Sequence, residues 1–312
     1  MKDFPSCFGE NGVQVGEASS ETTTKTAQNL VTCVYQCKMR NSSYVIITLT
    51  WTKNLMGQSL SVEINDSNNL SLCKLDIKPW LFSKRRGFRT IQAGSGSGSG
   101  SGSGLGSKLI DIYWDLTYAK FGSSPEPTTG FYFAIAINRE LILVLGDMEK
   151  EVHKKIDQDE FSNLAPNAVF VSKRAYMFGK KAYSTRAQFC GKGQVHEILI
   201  ECDTMGVNLT DDSCLVIRID GNPVMQVKCL RWKFRGNYTI LVDGLPVEVY
   251  WDVHSWLFEK LTGNAVFLFK TCLSAEKLWA SEDECWSKML SKDGGQSQGL
   301  GFSLVLCVWK SE

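Results

Sequence analysis

One short motif occurs twice in this chain of 312 residues, and that repeat constrains its architecture more than any other feature. Tyr113-Trp114-Asp115 followed by Phe121 returns as Tyr250-Trp251-Asp252 followed by Phe258, each residue displaced by 137. The upstream landmarks Trp80 and Trp232 differ by 152, so the first copy holds 15 extra residues (152 − 137). This period is too long for a solenoid repeat, and it predicts a tandem pair of related domains. The expected structural anchors of the repeat are Trp80, Trp114, Asp115, Trp232, Trp251 and Asp252.

Short runs of β-branched and aromatic residues alternate with turn-forming clusters along most of the chain. This pattern is typical of antiparallel β-sandwiches and barrels. Asp220-Gly221 and Asp243-Gly244 lie between alternating strands and are strong hairpin signals, and residues 65–69 predict a further hairpin loop. The Asp243-Gly244 hairpin stands where the first copy carries its glycine-serine run, so that loop is expected to account for the 15 extra residues. We predict an all-β fold of two tandem, internally repeated antiparallel sandwich or barrel domains.

The domain boundaries follow from shifts in composition. Residues 1–27 are polar and lack apolar periodicity, which predicts a flexible N-terminal arm. A first β domain is expected over 28–148, a linker over 149–172 and a second β domain over 173–312. The alternation of Gly and Ser over 94–104 predicts flexible coil and fits an engineered loop as well as natural low complexity. One helix is expected near 274–290, with a final strand over 302–309.

Composition narrows the classes of partner and compartment. Thirty-four basic and thirty-three acidic residues give a formal charge of +1, which argues against a strong attraction of the whole molecule to polyanions. No apolar run approaches the roughly 20 residues that span a bilayer, and the first residues lack a hydrophobic signal core. Eleven cysteines without regular spacing are expected to be mostly small core residues in a reducing compartment. We therefore expect no membrane span and a location in the cytoplasm, the nucleus or both.

Catalytic and metal-binding motifs are not evident in the sequence. In the repeated motif, an Asp beside aromatic rings could be a catalytic acid, but catalytic sites are rarely duplicated within one chain. A structural role is the stronger interpretation, because each domain needs a core Trp and an Asp that ties a strand end to backbone amides. The three histidines lack zinc spacing, and neither a phosphate-binding glycine loop nor a nucleophile elbow occurs. We expect no catalytic residue, no metal, no cofactor and no enzymatic activity, while a site assembled from distant residues stays open.

Two basic clusters are the candidate binding residues. The first is interleaved with Trp80, Phe82 and Phe88, and the second is its diluted counterpart before the second motif. A solvated hairpin loop is the plainest interpretation. A basic rim on corresponding hairpins would also suit an acidic partner, and basic residues beside aromatic ones could bind nucleic acid or act as a nuclear import signal. The residues are Lys84, Arg85, Arg86 and Arg89 in the first cluster and Arg231, Lys233 and Arg235 in the second.

Several longer segments carry a family resemblance. They read DFPSCFGE at 3–10, AQNLVTCVY at 27–35, WTKNLMGQ at 51–58 and DIKPWLF at 76–82. With these segments the chain resembles the plant family catalogued as domain of unknown function 868, over nearly its whole length apart from 94–104. That resemblance implies a plant source and supplies no activity or site. The strand rhythm from His196 onward is also similar to the tandem β-sandwich of Fas apoptosis inhibitory molecules, which is a likeness of fold alone.

The functional prediction follows from these exclusions and from the resemblance. We expect a non-enzymatic plant intracellular adaptor or interaction protein with a protein partner, its specific role in stress, defence or development being left open. One alternative is a β protein that binds a small hydrophobic ligand. Another is nucleic-acid binding through the basic loop 84–89.

Overall fold

A computed structural model describes most of the chain as β-structure. It describes residues 29–39, 43–54, 57–78, 85–93, 108–122, 124–156, 166–179, 182–190, 193–203, 213–259, 263–271 and 301–310. These ranges hold nineteen strands and two short helices, so the predicted all-β class is confirmed. The expected N-terminal arm over 1–27, the Gly/Ser run over 94–104 and the helix near 274–290 lie outside the described residues.

The first half of the chain forms two antiparallel arrays. The first array pairs its strands in chain order: β1 (Asn29–Lys38), β2 (Tyr44–Asn54), β3 (Gly57–Asp66) and β4 (Ser71–Ile77). The second is a four-stranded sheet in the order β10-β9-β6-β5, from β5 (Arg86–Ala93), β6 (Lys108–Asp115), β9 (Tyr132–Ile137) and β10 (Glu140–Gly146). A short ribbon, β7 (Lys120–Phe121) with β8 (Pro127–Thr129), and helix α1 (Glu149–Ile156) complete this half.

The second half has the same sequence of pairings. A four-stranded sheet runs β12 (Ala182–Gln188), β13 (Val195–Asp203), β14 (Cys214–Ile219) and β15 (Asn222–Lys228). A second array runs β16 (Arg235–Val242), β17 (Leu245–Asp252), β18 (Asn264–Thr271) and β19 (Ser303–Lys310), with the short helix α2 (His254–Phe258) between β17 and β18. The order of pairing therefore repeats along with the sequence motif.

Strand β11 (Val169–Gly179) joins the two halves into one sheet. It pairs antiparallel with β1 and parallel with β19, which gives a nine-stranded sheet in the order β16-β17-β18-β19-β11-β1-β2-β3-β4. Residues 169–172, expected in the linker, are therefore part of a central strand. The backbone hydrogen bonds of this sheet continue across the predicted boundary between residues 172 and 173. The division into two domains itself stays a prediction.

Alternation of side chains along each strand builds the core. In β2 the residues Val45, Ile47, Leu49 and Trp51 are buried while the residues between them are half-buried, because successive side chains of a strand point to opposite faces. The sheet formed by β5, β6, β9 and β10 is covered on both faces: its second face carries Tyr113, Tyr132, Ala134 and Leu141, which cluster with Val152 of α1. Burial on both faces explains why every residue of β9 is buried.

The predicted hairpins are present, and their turns require unusual backbone angles. Asp220 and Gly221 have φ of 50° and 80°, and Asp243 and Gly244 have φ of 51° and 76°. Positive φ at both central residues matches a type I′ turn, which suits the twist of the flanking strands and favours Asp-Gly. The loop predicted over 65–69 overlaps the connection between the paired strands β3 and β4, although Asn65 and Asp66 still belong to β3.

Corresponding hairpins in the two halves make the same contacts. Arg86 forms an ion pair with Asp115, and Arg235 forms the corresponding ion pair with Asp252. The two arginines are 149 positions apart in the sequence (235 − 86), whereas the two aspartates are 137 positions apart (252 − 115). The β5–β6 connection is therefore longer by 12 residues (149 − 137). The other three of the 15 extra residues precede Arg86 (152 − 149), so the expectation that the loop holds all of them is wrong.

Candidate binding surface

The predicted basic residues lie at two sheet edges. Arg85 directly precedes β5, and Arg86 and Arg89 lie in it. Strand β5 is the outermost strand of its four-stranded sheet. Arg231 and Lys233 lie in the loop before β16, and Arg235 begins that strand, which is outermost in the nine-stranded sheet. Lys84 and Trp80 lie outside the described residues. Arg85, Arg86 and Arg89 of the first cluster are exposed, as are Arg231, Lys233 and Arg235 of the second.

The aspartates of the repeated motif hold the start of each edge strand. Asp115 Oδ2 lies 3.4 Å from Arg86 Nε, and Asp252 Oδ2 lies 2.8 Å from Arg235 Nε. Each aspartate also accepts a hydrogen bond of 3.0 Å from the backbone N–H two residues further on. These are the strand-end contacts expected from the sequence, and they engage Arg86 and Arg235 within the fold.

The tryptophans of the repeat differ in their environment. Trp251 is 9% exposed, and its indole N–H donates to the carbonyl oxygen of Lys233 (2.9 Å). Trp114 is half-buried against the core. Trp232, expected to be a structural anchor, is 82% exposed and does not pack in the core. That expectation is wrong, because the loop that carries Trp232 turns its side chain towards solvent.

Backbone hydrogen bonds fix the loop over 229–234. Cys229 has a φ of 55°, and its carbonyl oxygen accepts from the N–H groups of Trp232 (3.0 Å) and Lys233 (3.1 Å). Leu230 is fully buried, and its N–H donates to the carbonyl oxygen of Ser213 (3.1 Å). The loop is therefore anchored by one apolar side chain and several hydrogen bonds while Trp232 projects from it.

An open groove of about 350 Å³ lies between the edge strands β15 and β16. Trp251 and Met225 give it apolar walls, and Tyr238, 56% exposed, stands beside them. Lys228 and Lys233 add positive charge. Its lining residues are Val224, Met225, Gln226, Val227, Lys228, Lys233, Tyr238 and Trp251.

A buried histidine links the two turns beyond this groove. His196 on β13 is 7% exposed at its side chain, and its Nδ1 lies 2.7 Å from Asp220 Oδ2 while its Nε2 lies 2.9 Å from Asp243 Oδ2. Burial alone would lower the pKa of His196, but hydrogen bonds to two carboxylates outweigh burial and raise the pKa. The hydrogen bond from His196 and the one from the Glu197 N–H lower the pKa of Asp220. Sequence reasoning recognised both Asp-Gly turns but did not bring His196 between them.

Lys173 and Cys33 are two further titratable groups that are buried inside the fold. Lys173 Nζ binds Glu126 Oε2 (2.5 Å) and the carbonyl oxygen of Arg186 (2.7 Å), and the Cys33 thiol donates to Glu126 Oε1 (3.3 Å). Burial, with the nearby Glu126 charge, raises the pKa of Cys33 well above its usual value, so the thiol is kept protonated. In the described ranges, His, Cys, Asp and Glu side chains form no group of three or more suited to a metal ion.

The fold and the groove together define an all-β protein with a surface cleft between two sheet edges. The chain belongs to the family described as plant protein of unknown function, DUF868, whose model matches residues 26–310. The resemblance inferred from the sequence segments is thereby confirmed. No curated protein and no solved structure matches the chain, so the similarity to Fas apoptosis inhibitory molecules has no support. Among the described residues, neither helix has the length and hydropathy needed to cross a membrane.

Proposed function

We propose that this plant protein is a non-enzymatic interaction protein that binds an acidic segment of a partner protein in the groove between β15 and β16. The observation that carries this proposal is the position of Trp232, 82% exposed on a loop held by backbone hydrogen bonds. An exposed Trp on a hydrogen-bonded loop offers a large apolar area for burial in an interface. We expect Trp232 to be the anchor of the interface.

The charge around the groove favours an acidic partner. Arg235 is engaged with Asp252, whereas Lys228, Arg231 and Lys233 are exposed along the groove and its loop. Because the whole chain carries a formal charge of only +1, this positive charge is a local feature. Complementary charge gives an interface its specificity and speeds association.

The sheet edges supply the backbone part of the interaction. Strands β15 and β16 are the outermost strands of their sheets in the part of the chain that the structure describes. An edge strand offers N–H and C=O groups on which an extended peptide can form a further strand. The partner segment is therefore expected to be extended, with acidic residues near Lys228 and Lys233 and an apolar residue against Trp232.

The structure supports the two alternatives less well. Nucleic-acid binding through the loop over 84–89 needs exposed cations, and among its described residues Arg85 and Arg89 would have to supply them, because Arg86 forms an ion pair with Asp115. A small hydrophobic ligand needs an apolar cavity, whereas the inward positions of the described strands carry large buried side chains such as Phe133, Phe267 and Phe269. The groove itself is open to solvent.

The test is selection of peptides on the purified full chain. A random library of peptides of about 12 residues, long enough for one strand, is selected for binding. Selected peptides are then measured by fluorescence anisotropy against the wild-type protein and the Trp232→Ala variant. We expect enrichment of Asp and Glu among the peptides, and an affinity loss of about 30-fold in Trp232→Ala, as for an interface hot spot.

Charge reversal provides the matched control. The double variant Lys228→Glu/Lys233→Glu changes the groove, whereas Lys120→Glu/Lys150→Glu makes the same change of net charge at exposed positions on β7 and α1. Only the groove variant should lose binding. Equal losses in both variants, or a selection that returns no acidic peptide, would refute the proposal. Binding of a single-stranded oligonucleotide in place of peptides, with steep salt dependence, would favour the nucleic-acid alternative.

A further inference from the structure

We infer that His196 is a positioning residue for the groove, because it ties together the two turns from which β15 and β16 extend and so sets the separation of these strands. The inference rests on the proposed function of the groove and adds a regulation to it. Protonated His196 keeps the distance between β15 and β16 constant, and loss of its proton releases one of the two turns.

The topology places His196 at the end of the groove opposite the loop over 229–234. Strand β15 begins directly after the Asp220-Gly221 turn, and β16 ends directly before the Asp243-Gly244 turn. The two strands and the loop between them therefore form a U. The loop closes one end through its own hydrogen bonds, and the ring of His196 bridges the other end.

The contacts of the ring require its charged form. A neutral imidazole has one N–H donor, whereas the imidazolium has two. Both ring nitrogens of His196 lie within hydrogen-bonding distance of carboxylate oxygens, at 2.7 Å and 2.9 Å. After deprotonation one nitrogen would present a lone pair to a carboxylate, so either Asp220 or Asp243 would lose its contact.

Other charged groups near the ring have their own partners. Glu197, the next residue on β13, receives a hydrogen bond from Ser184 (3.1 Å). Arg218 binds Glu201 (2.8 Å) and reaches the carbonyl oxygen of Gly221 (3.4 Å). Cys190 and Asp243 both lie next to Gly193. A Cβ added at Gly193 would be 2.6 Å from the Cys190 sulfur and 3.3 Å from Asp243 Oδ2. Within the described ranges, the charged groups that hydrogen-bond to the ring are therefore Asp220 and Asp243.

The sign of the pH effect follows from the direction of the shift. The folded pKa of His196 is raised above its ordinary value, so the bridge stabilises the protein fully below about pH 6.5. That stabilisation is lost as the pH rises through the folded pKa. Lysine and arginine side chains keep their charge over this range. A decrease in peptide affinity as the pH rises above about 6.5 would therefore report His196.

The experiment measures the titration of His196 and the affinity of the groove together. The ring signals of His196 are followed by NMR between about pH 5.5 and 9, and a selected acidic peptide is titrated by anisotropy over the same range. We expect the dissociation constant to rise by about threefold or more, with a midpoint equal to the pKa of His196. Asp243→Asn should move both midpoints to lower pH, since Asn keeps the turn geometry but removes the charge.

A control variant and a second observable separate this inference from the function itself. Asp66→Asn makes the same change at the end of β3 and should leave both midpoints unchanged. If peptides bind with a pH-independent affinity while His196 titrates, the positioning role is refuted and the proposed function stands. If no peptide binds, the Met225 methyl and Trp251 indole signals still decide the positioning role. They shift with the His196 midpoint if it is correct and stay constant if it is wrong.

Discussion

The contact between Gly236 and Trp251 allows a strong prediction. A Cβ added at Gly236 would lie 2.4 Å from Trp251 Cζ2 and 2.7 Å from Cη2, and Gly87 meets Trp114 in the same way at 2.2 Å. The φ of Gly236 is not in the left-handed region, so the backbone itself tolerates alanine. The cost of Gly236→Ala relative to an unhindered Gly→Ala substitution therefore reports the aromatic contact.

The magnitude follows from how far the ring must move. Ordinary contact begins near 3.4 Å, so the indole has to shift by about 1 Å (3.4 − 2.4). Overpacking of this kind costs about 1–3 kcal/mol. The shift also strains the hydrogen bond from the Trp251 N–H to the Lys233 carbonyl oxygen, which contributes about 1 kcal/mol. We expect Gly236→Ala to lower the free energy of unfolding by about 2–4 kcal/mol.

The assay is urea unfolding followed by far-UV circular dichroism. Gly122→Ala is the control, because the nearest atom to its added Cβ is 4.0 Å away and because both variants lose the same glycine freedom in the unfolded chain. A double-mutant cycle with Trp251→Leu tests the cause, since the cost of the alanine should largely disappear once the ring is removed. Equal stability of Gly236→Ala and Gly122→Ala, or an undiminished cost in the Trp251→Leu background, would refute the reasoning.

Three further predictions concern single side chains. Glu126→Gln removes the counter-charge of Lys173, whose side chain is 4% exposed, and should lower the free energy of unfolding by about 3–5 kcal/mol. A loss below about 1 kcal/mol in a urea titration would contradict the contribution of this ion pair. Trp232→Ala should change stability by less than about 0.5 kcal/mol, because an exposed side chain contributes little to the fold, and a clear fall in Tm would argue against its exposure. Burial raises the pKa of Cys37 to about 11, so in native protein at about pH 8 iodoacetamide should label exposed Cys229 well before Cys37, as peptide mass spectrometry would show.

Local features of this fold could be predicted because neighbouring residues decide them. The Asp220-Gly221 and Asp243-Gly244 turns depend on two consecutive positive φ angles, which Asp and Gly tolerate wherever they occur. The strands follow from alternation, which marks the buried face without reference to any partner. The strand-end role of Asp252 was equally predictable, because its hydrogen bond spans only two residues.

Pairing across long stretches of sequence could not be predicted in the same way. The alternation of β11 shows which side is buried but does not identify its neighbours, and those neighbours are β1, with Val31 opposite Ala175, and β19, with Ala175 opposite Leu306. The choice depends on the packing of the whole sheet. This is why residues expected in a linker form the centre of a nine-stranded sheet.

By itself, the sequence determined the strands, the turns and the two copies of the motif, since these depend on residues a few positions apart. Tertiary structure decided that Trp232 faces solvent while Trp251 is nearly buried, because one follows a left-handed turn at Cys229 and the other lies inside a paired strand. It also decided that His196 meets Asp220 and Asp243, 24 and 47 residues further along the chain. Hydrogen bonds over such separations form only after the sheets have packed, and no local pattern encodes them.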